Sequence, residues 1–229
     1  MIVGNGLIAE AFKARYEHDR TVVIFASGVS NSSETSEQAF LRERRLLLET
    51  LRTAEGKFVY FSTCSLTDAD RQATPYAVHK LEMESLVFAY RDALVFRLPQ
   101  VVGHTPNPHT LTNFIASRIA NAERFSLWTK ALRSLIDVDD IASIATAMID
   151  RGFSGQVIDL AAPGALTMME LVETMERMLG EKGNYDLVDR GGGSIPDATL
   201  AVQFANELGI DLCNDYPERV LRKYYGVRR

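Results

Sequence analysis

A chain of 229 residues, 46% hydrophobic and 24% charged, can bury the core of one sizeable domain. Its formal charge of −5 argues against a nucleic-acid-binding surface, and two cysteines are too few for a disulfide framework or a cysteine zinc site. No apolar run reaches membrane-spanning length and Met1 leads straight into a structural element, so a soluble protein of the reducing cytoplasm is expected.

Taken in chain order, short β-branched or aromatic runs alternate with helical patterns, which predicts a parallel sheet covered by helices. Residues 1–3 read as a strand and 7–16 as the helix after it. Between them "VGNGLIA" has Gly-x-Gly-x-x-Ala spacing. Gly4 can make a tight turn, Gly6 lets a pyrophosphate approach the backbone, and Ala9 lets the helix pack closely. A second strand, 22–26, begins only a dozen residues after Ala9, and the helix 37–52 shows a leucine face among charges. A third strand, 58–62, runs up to Thr63. The helix 75–90 opens on Pro75, a favourable first-turn residue. A strand at 94–98 and helices at 111–121 and 138–150 follow, the last entered through "DVDD", whose carboxylates suit a helix N-terminus. A strand is expected at 157–161. Thr167 and Glu170 have capping-box spacing for a helix running to residue 179. Residues 180–194, "GEKGNYDLVDRGGGS", read as a loop leading to a small helical end. There is no internal repeat, and residues 1–229 read as one domain.

Tyr76 and Lys80, in "TPYAVHK", stand one helical turn apart on one face. In a chain with eight tyrosines such a pair arises easily by chance. Its meaning comes from the segments around it.

Those segments, in order, resemble the extended short-chain dehydrogenase/reductase superfamily, the NAD-dependent epimerase/dehydratase group that modifies nucleotide sugars. "VGNGLIA" is similar to its cofactor turn and "VVIFASGVSNS" to its fourth strand. "KFVYFSTCS" resembles the fifth strand, "YAVHK" the Tyr-x-x-x-Lys pair, "FRLPQVVG" the sixth strand, and "LRSLIDVDDIA" the segment whose arginine meets the substrate diphosphate. The resemblance covers nearly the whole chain. It implies a Rossmann-like, doubly wound parallel α/β sheet with a small helical C-terminal substrate region, the substrate-side elements being about residues 104–135 and 163–229. Two departures stand out. The family's second and third strands, with the acidic ribose ligand, have no counterpart, which implies a truncated sheet of order 1-4-5-6 in family terms with the cofactor turn at its edge. The loop between "FSTCS" and "YAVHK" is also short, which implies a differently lined substrate pocket.

The resemblance assigns Thr63, Tyr76 and Lys80 as the catalytic set. Lys80 would lower the Tyr76 pKa and bind the nicotinamide ribose, while Thr63 would hold the reacting oxygen. Cofactor contacts are expected from Gly4, Asn5, Gly6, Leu7, Ile8, Ala26, Ser27, Gly28 and Ser62, together with Tyr76 and Lys80, for NAD or NADP. Substrate contacts are expected from Thr63, Gln100, Asn113 and Arg133, the last on the diphosphate. Trp128 suits packing or stacking, His79 has no required chemistry, and Cys64 suits a buried filler. The four histidines show no metal-ligand spacing, so no metal is expected. Where dehydratases of the family carry an acid and a base after the Thr, this chain has Cys64 and Ser65. The implied activity is therefore a 4-keto-sugar reductase acting on a nucleotide-linked sugar. A 4-epimerase, or a non-catalytic dinucleotide-binding or scaffold protein, are the alternatives. Dimerisation through the catalytic helix and its predecessor is common in relatives, and a homodimer is expected.

Overall fold

The computed structural model describes residues 1–213 and 215–226. The chain opens with β1 (Ile2–Val3), α1 (Leu7–Tyr16), β2 (Val22–Phe25), α2 (Glu37–Thr53), β3 (Lys57–Thr63), α3 (Pro75–Phe88) and β4 (Ala93–Leu98). A 3-10 turn, Cys64–Thr67, lies between β3 and α3. Then come β5 (Gln100–Val102), α4 (Leu111–Ala120), β6 (Arg124–Trp128), β7 (Leu132–Arg133), β8 (Leu135–Asp137), α5 (Val138–Asp150) and β9 (Gln156–Asp159). The chain continues through β10 (Leu166–Thr167), α6 (Met168–Leu179), β11 (Asn184–Val188), α7 (Thr199–Glu207) and α8 (Tyr216–Tyr225).

Five strands form one parallel sheet in the order β1-β2-β3-β4-β9. Successive side chains of a strand point to opposite faces, and here both faces are apolar. Val22 and Ile24, Val59 and Phe61, and Leu94 and Phe96 join Phe12 of α1 and Ile144 of α5 in one core. Val23 and Phe25, Phe58 and Tyr60, and Ala93 and Val95 join Leu47 of α2 and Met83 and Val87 of α3 in the other. The sheet is therefore covered on both faces, as the alternation of elements predicts.

Polar caps fix the helix starts. The Ser36, Thr74 and Thr110 hydroxyls accept from the backbone N–H of Ala39, Ala77 and Asn113. The expected Thr167–Glu170 capping box forms, and Gly180 ends α6 in a left-handed conformation. One expectation is overturned. Residues 180–194 are not loop throughout, because β11 pairs in parallel with β6 from Asn184–Arg124 to Val188–Trp128. Tyr185 packs on Phe125 with ring centroids 5.5 Å apart, which supplies the burial that a mostly exposed strand otherwise lacks. Two further small pairs, β5–β8 parallel and β7–β10 antiparallel, carry the chain past the C-terminal edge of the main sheet.

Candidate active site

The carboxyl ends of parallel strands leave backbone groups and loop residues facing a crevice, the usual ligand position of such sheets. Here the ends of β1 to β4 surround a cleft of about 630 Å³. Asn5, Gly6, Leu7 and Ile8 line it from the first turn, Ala26, Ser27 and Gly28 from the end of β2, and Ser62 and Thr63 from β3. Tyr76, Lys80 and Gln100 line it as well. Gly4 stands behind this wall with φ 129°, and a Cβ there would come within 2.4 Å of the Ala26 carbonyl oxygen. No side chain caps α1 at Gly6, so its first-turn N–H groups face the turn unclaimed by a cap. The buried Ser62 hydroxyl has no hydrogen-bond partner. An open helix N-terminus and an orphaned hydroxyl on one cleft fit a dinucleotide.

Thr74 and Pro75 start α3, which seats Tyr76 at its second position and Lys80 one turn later, both buried. Arg97 of β4 grips Glu84 of the same helix with two hydrogen bonds, at 2.9 and 2.7 Å, and so fixes α3 against the sheet. The Lys80 ammonium donates to Glu43 Oε1 (3.0 Å), to the Tyr60 hydroxyl (2.5 Å) and to the Phe61 carbonyl (3.2 Å). An ammonium has three N–H donors, and in this structure all three are engaged. Glu43 also accepts from Tyr60 (2.7 Å), from the Val29 backbone N–H (2.7 Å) and from His79 Nε2 (2.9 Å). His79, stacked on Phe40, thus belongs to a buried network after all. Gly28 is what lets the network reach the cleft, because a Cβ there would lie 2.9 Å from both Glu43 Oε1 and Lys80 Nζ.

Burial alone would raise the Glu43 carboxyl, yet the Lys80 charge and three further donors outweigh it and hold the group at about 2. The pair is carboxylate and ammonium. Its consequence for Tyr76 is a correction to the sequence reading. Burial pushes the tyrosine up to about 12, the Thr63 hydroxyl working in the opposite direction and the Glu43 charge adding to the rise. Lys80 is paired with Glu43 at 3.0 Å, which offsets its charge at the tyrosine. Thr63 itself accepts from the Ser65 N–H at 3.1 Å and caps the 3-10 turn beside the cleft.

The other expected residues divide. Gln100 lines the cleft, and with Arg133 it also lines a smaller recess that opens beside Thr63. Asn113 lines neither cavity. Its amide nitrogen donates to the carbonyls of Thr105 and Asn107, both at 2.9 Å, and its oxygen accepts from Tyr225 at 2.6 Å. It holds the loop whose Thr105, Asn107 and His109 line the cleft. Trp128 is about a third exposed under the Arg190 guanidinium, 4.6 Å from the ring centre, and lines neither cavity. Cys64 is buried, its thiol pushed up by desolvation and donating to the Arg97 carbonyl at 3.4 Å, as a filler would be. Among the described residues no cluster of three or more His, Cys, Asp or Glu is placed to hold a metal ion. The sequence reading missed Glu43, Tyr60, Asp68 and Arg71. For Glu43 a signal existed: it shares the buried face of α2 with Leu47 and Thr50, at helical spacing.

Residues 7–161 match the model of the NAD dependent epimerase/dehydratase family, more than half of the chain. No curated protein sequence matches. Among solved structures, MoeE5 in complex with UDP-glucose and NAD is 18% identical with a TM-score of 0.71, covering 90% of this chain and 77% of that one. RMD from Pseudomonas aeruginosa complexed with NADPH is 17% identical, TM-score 0.67, covering 99% and 89%. UDP-glucuronic acid 4-epimerase from Bacillus cereus, in complex with UDP-glucuronic acid and NAD, is 15% identical, TM-score 0.68, covering 89% and 74%. These likenesses give the fold, a Rossmann-like parallel sheet, and the matched segment gives the lineage: the chain belongs to the NAD-dependent epimerase/dehydratase family, a family of enzymes.

Proposed function

We propose that the protein reduces the keto group of a nucleotide-linked 4-keto sugar, using NADH or NADPH. The observation that carries this is the cleft, which gathers Thr63 and Tyr76 beside the glycine turn, while the positions after Thr63 are Cys64 and Ser65 and not the carboxylates an elimination would use. With Lys80 neutralised by Glu43 and Tyr76 at about 12, the hydroxyl keeps its proton at neutral pH. A protonated tyrosine is an acid, suited to giving a proton to a carbonyl oxygen as that oxygen becomes an alcohol. Oxidising the alcohol, which an epimerase must do first, needs the tyrosinate instead.

The roles follow. Thr63 and Tyr76 bracket the carbonyl oxygen, Thr63 orienting it and Tyr76 protonating it, and Tyr76 regains its proton from solvent. When bound, the nicotinamide cofactor supplies the hydride. Asn5, Gly6, Leu7 and Ile8 would hold its pyrophosphate, Ala26, Ser27 and Gly28 would flank it, and Ser62 would offer it an unsatisfied hydroxyl. Lys80 fixes the floor of the cleft through Glu43 and Tyr60. Gln100 and Arg133 face the substrate, and Asn113 positions the loop above it. The edge position of β1 is consistent with a sheet that lacks the family's second and third strands, so a cofactor exchanged at each turnover suits this chain better than one held permanently.

The test is turnover of reduced nicotinamide, followed by absorbance, with nucleotide-linked 4-keto sugars, and product mass. Tyr76→Phe is expected to abolish turnover while leaving cofactor affinity unchanged within about twofold, since only the proton-transfer hydroxyl is removed. Full activity in that variant, or a keto-deoxy product from a plain nucleotide hexose, overturns the proposal. Silence of the wild type with every keto sugar and both cofactors favours a non-catalytic role.

A further inference from the structure

One wall of the cleft has no hydrophobic anchor. Residues 104–110, between β5 and α4, bring Thr105, Asn107, His109 and Thr110 to it, and no residue of the segment is buried. Such a segment keeps one shape only through its polar ties. Within it, the Asn107 N–H donates to Thr105 Oγ1 at 3.2 Å and the His109 N–H to Asn107 Oδ1 at 3.0 Å. The cross-tie is Asn113, in the first turn of α4, whose amide nitrogen spans the carbonyls of Thr105 and Asn107. Turned over, that amide would set its oxygen against the two carbonyls, so a donor on the oxygen side decides which way it lies. Tyr225, in the last turn of α8, is that donor. Its hydroxyl is 2.6 Å from Asn113 Oδ1 and 2.8 Å from Thr112 Oγ1. Burial pushes the hydroxyl up from its ordinary value, so it keeps the proton it donates.

The same turn of α8 reaches the other end of the segment. The Tyr224 and His104 rings meet edge to face, with centroids 4.9 Å apart. The helix is held in place by other groups. Tyr216, Val220 and Leu221 are buried in the core, and the Tyr216 hydroxyl accepts from the Asp137 N–H at 3.0 Å and donates to Asp140 at 2.6 Å. Lys223 bonds to Asp137 and Asp139, both at 2.7 Å, and Tyr224 to Asp137 at 2.7 Å. With so many anchors on the start of α5, the docking of α8 does not depend on the Tyr225 hydroxyl. We infer that Tyr225 is a positioning residue: acting through Asn113, it holds residues 104–110 against the cleft, so the C-terminal helix sets the shape of the wall that a substrate meets. Loss of this one hydroxyl loosens the wall without unseating the helix. Only the kinetic part of the test below rests on the proposed reduction.

Hydrogen exchange in the whole protein tests this, with thermal melts to show that each variant keeps its fold. The amides of Asn107 and His109 report on the segment, since Pro106 and Pro108 carry no N–H. Tyr225→Phe keeps the ring and removes the hydroxyl. It is expected to speed exchange at both amides about fivefold, with the amides of α8 as protected as in the wild type. Asn113→Ala should speed them at least as much, and the double variant no more than Asn113→Ala alone, because the tyrosine works through the amide. Unchanged exchange in Tyr225→Phe overturns the inference. So do effects of the two variants that multiply in the double variant, or a loss of protection in α8 itself, which would make Tyr225 a part of helix docking only. With a nucleotide-linked 4-keto sugar and reduced cofactor, Tyr225→Phe should raise KM about threefold to fivefold and leave kcat within about twofold. The expected exchange pattern in a protein that reduces no keto sugar would sink the reductase reading alone.

Discussion

At the scale of single residues, Glu43, paired with Lys80 at 3.0 Å, adds to the rise of the Tyr76 hydroxyl that burial begins. A hydroxyl at about 12 stays protonated across the neutral range. The rate of reduction should therefore be flat from about pH 6 to about pH 10, two units below the tyrosine, and the reverse oxidation should rise with pH over the same span. Glu43→Gln removes the charge that cancels Lys80, so the rising limb of the oxidation profile should move down by about one pH unit. A profile unmoved by Glu43→Gln would show that the carboxylate has no electrostatic hold on Tyr76. The same variant should lose about 3–5 kcal/mol of stability, because it leaves an ammonium buried without its counter-charge. The carboxyl also makes stability depend on pH. Its value falls from an unfolded 4.5 to about 2 in the fold, so its contribution is complete above about pH 4.5 and is lost as the pH drops towards 2. That contribution is about 3 kcal/mol, readable as an acid-side loss of thermal stability that Glu43→Gln should not show.

These residues also mark what the sequence could and could not disclose. Thr63, Tyr76 and Lys80 were legible because ordered neighbouring segments gave them context, and the fold gathers all three on one cleft. Glu43 was hidden in the run "RERR", where only helical phase separates the one inward carboxylate from its solvated neighbours. Arg71 was hidden differently. Its place with Arg133 on the smaller recess crosses 62 positions and depends on a turn folding back over the end of β4, which no local pattern encodes.

At the scale of elements, the strands of the main sheet and the capped helices were readable and the short strands outside that sheet were not. The strands β5, β6, β7, β8, β10 and β11 gain their pairing from partners brought near by the rest of the fold, so alternation within each is too short to register. The first strand carries the sharpest consequence. It is two residues long and pairs only with β2 among the described residues, so the glycine turn after it hangs from the sheet's edge. If the proposed cofactor binds at that turn, few protein groups flank its adenosine end. Each missing hydrogen bond between a ribose and a carboxylate is worth about 1.5–3 kcal/mol, so affinity should be tens of fold weaker than with such a ligand in place. Titration calorimetry should find NAD(P) affinities too weak to survive gel filtration. A preparation carrying stoichiometric dinucleotide would contradict this and bring the epimerase reading forward.

Over the whole molecule, both sheet faces are covered, yet α2 and α3 leave an apolar stripe outside. Leu41, Val78 and Leu81 are 55, 57 and 53% exposed, and Phe88 continues the line on α3. Exposed apolar residues grouped on one helix pair mark a contact surface more than chance scatter does. Light scattering after gel filtration is expected to give a homodimer, and Leu81→Glu a monomer that keeps its melting temperature within a few degrees. A wild-type monomer at micromolar concentration would reject this use of the stripe.

The strand order has one more consequence, and it concerns how the molecule comes into being. In the main sheet each of the first four strands lies beside the one made just before it, and only β9 arrives from far along the chain. No early strand has to wait for a late one to be inserted at its side. A chain leaving the ribosome can thus add strands in one direction, from β1 outward, closing only short loops as it goes. The growing edge at β4, with its apolar Val95 and Phe96, stays uncovered until β9 is made some 60 residues later. That interval is when the protein is most open to mispairing, and pulse-labelled hydrogen exchange during refolding should find β2 and β3 protected before β9.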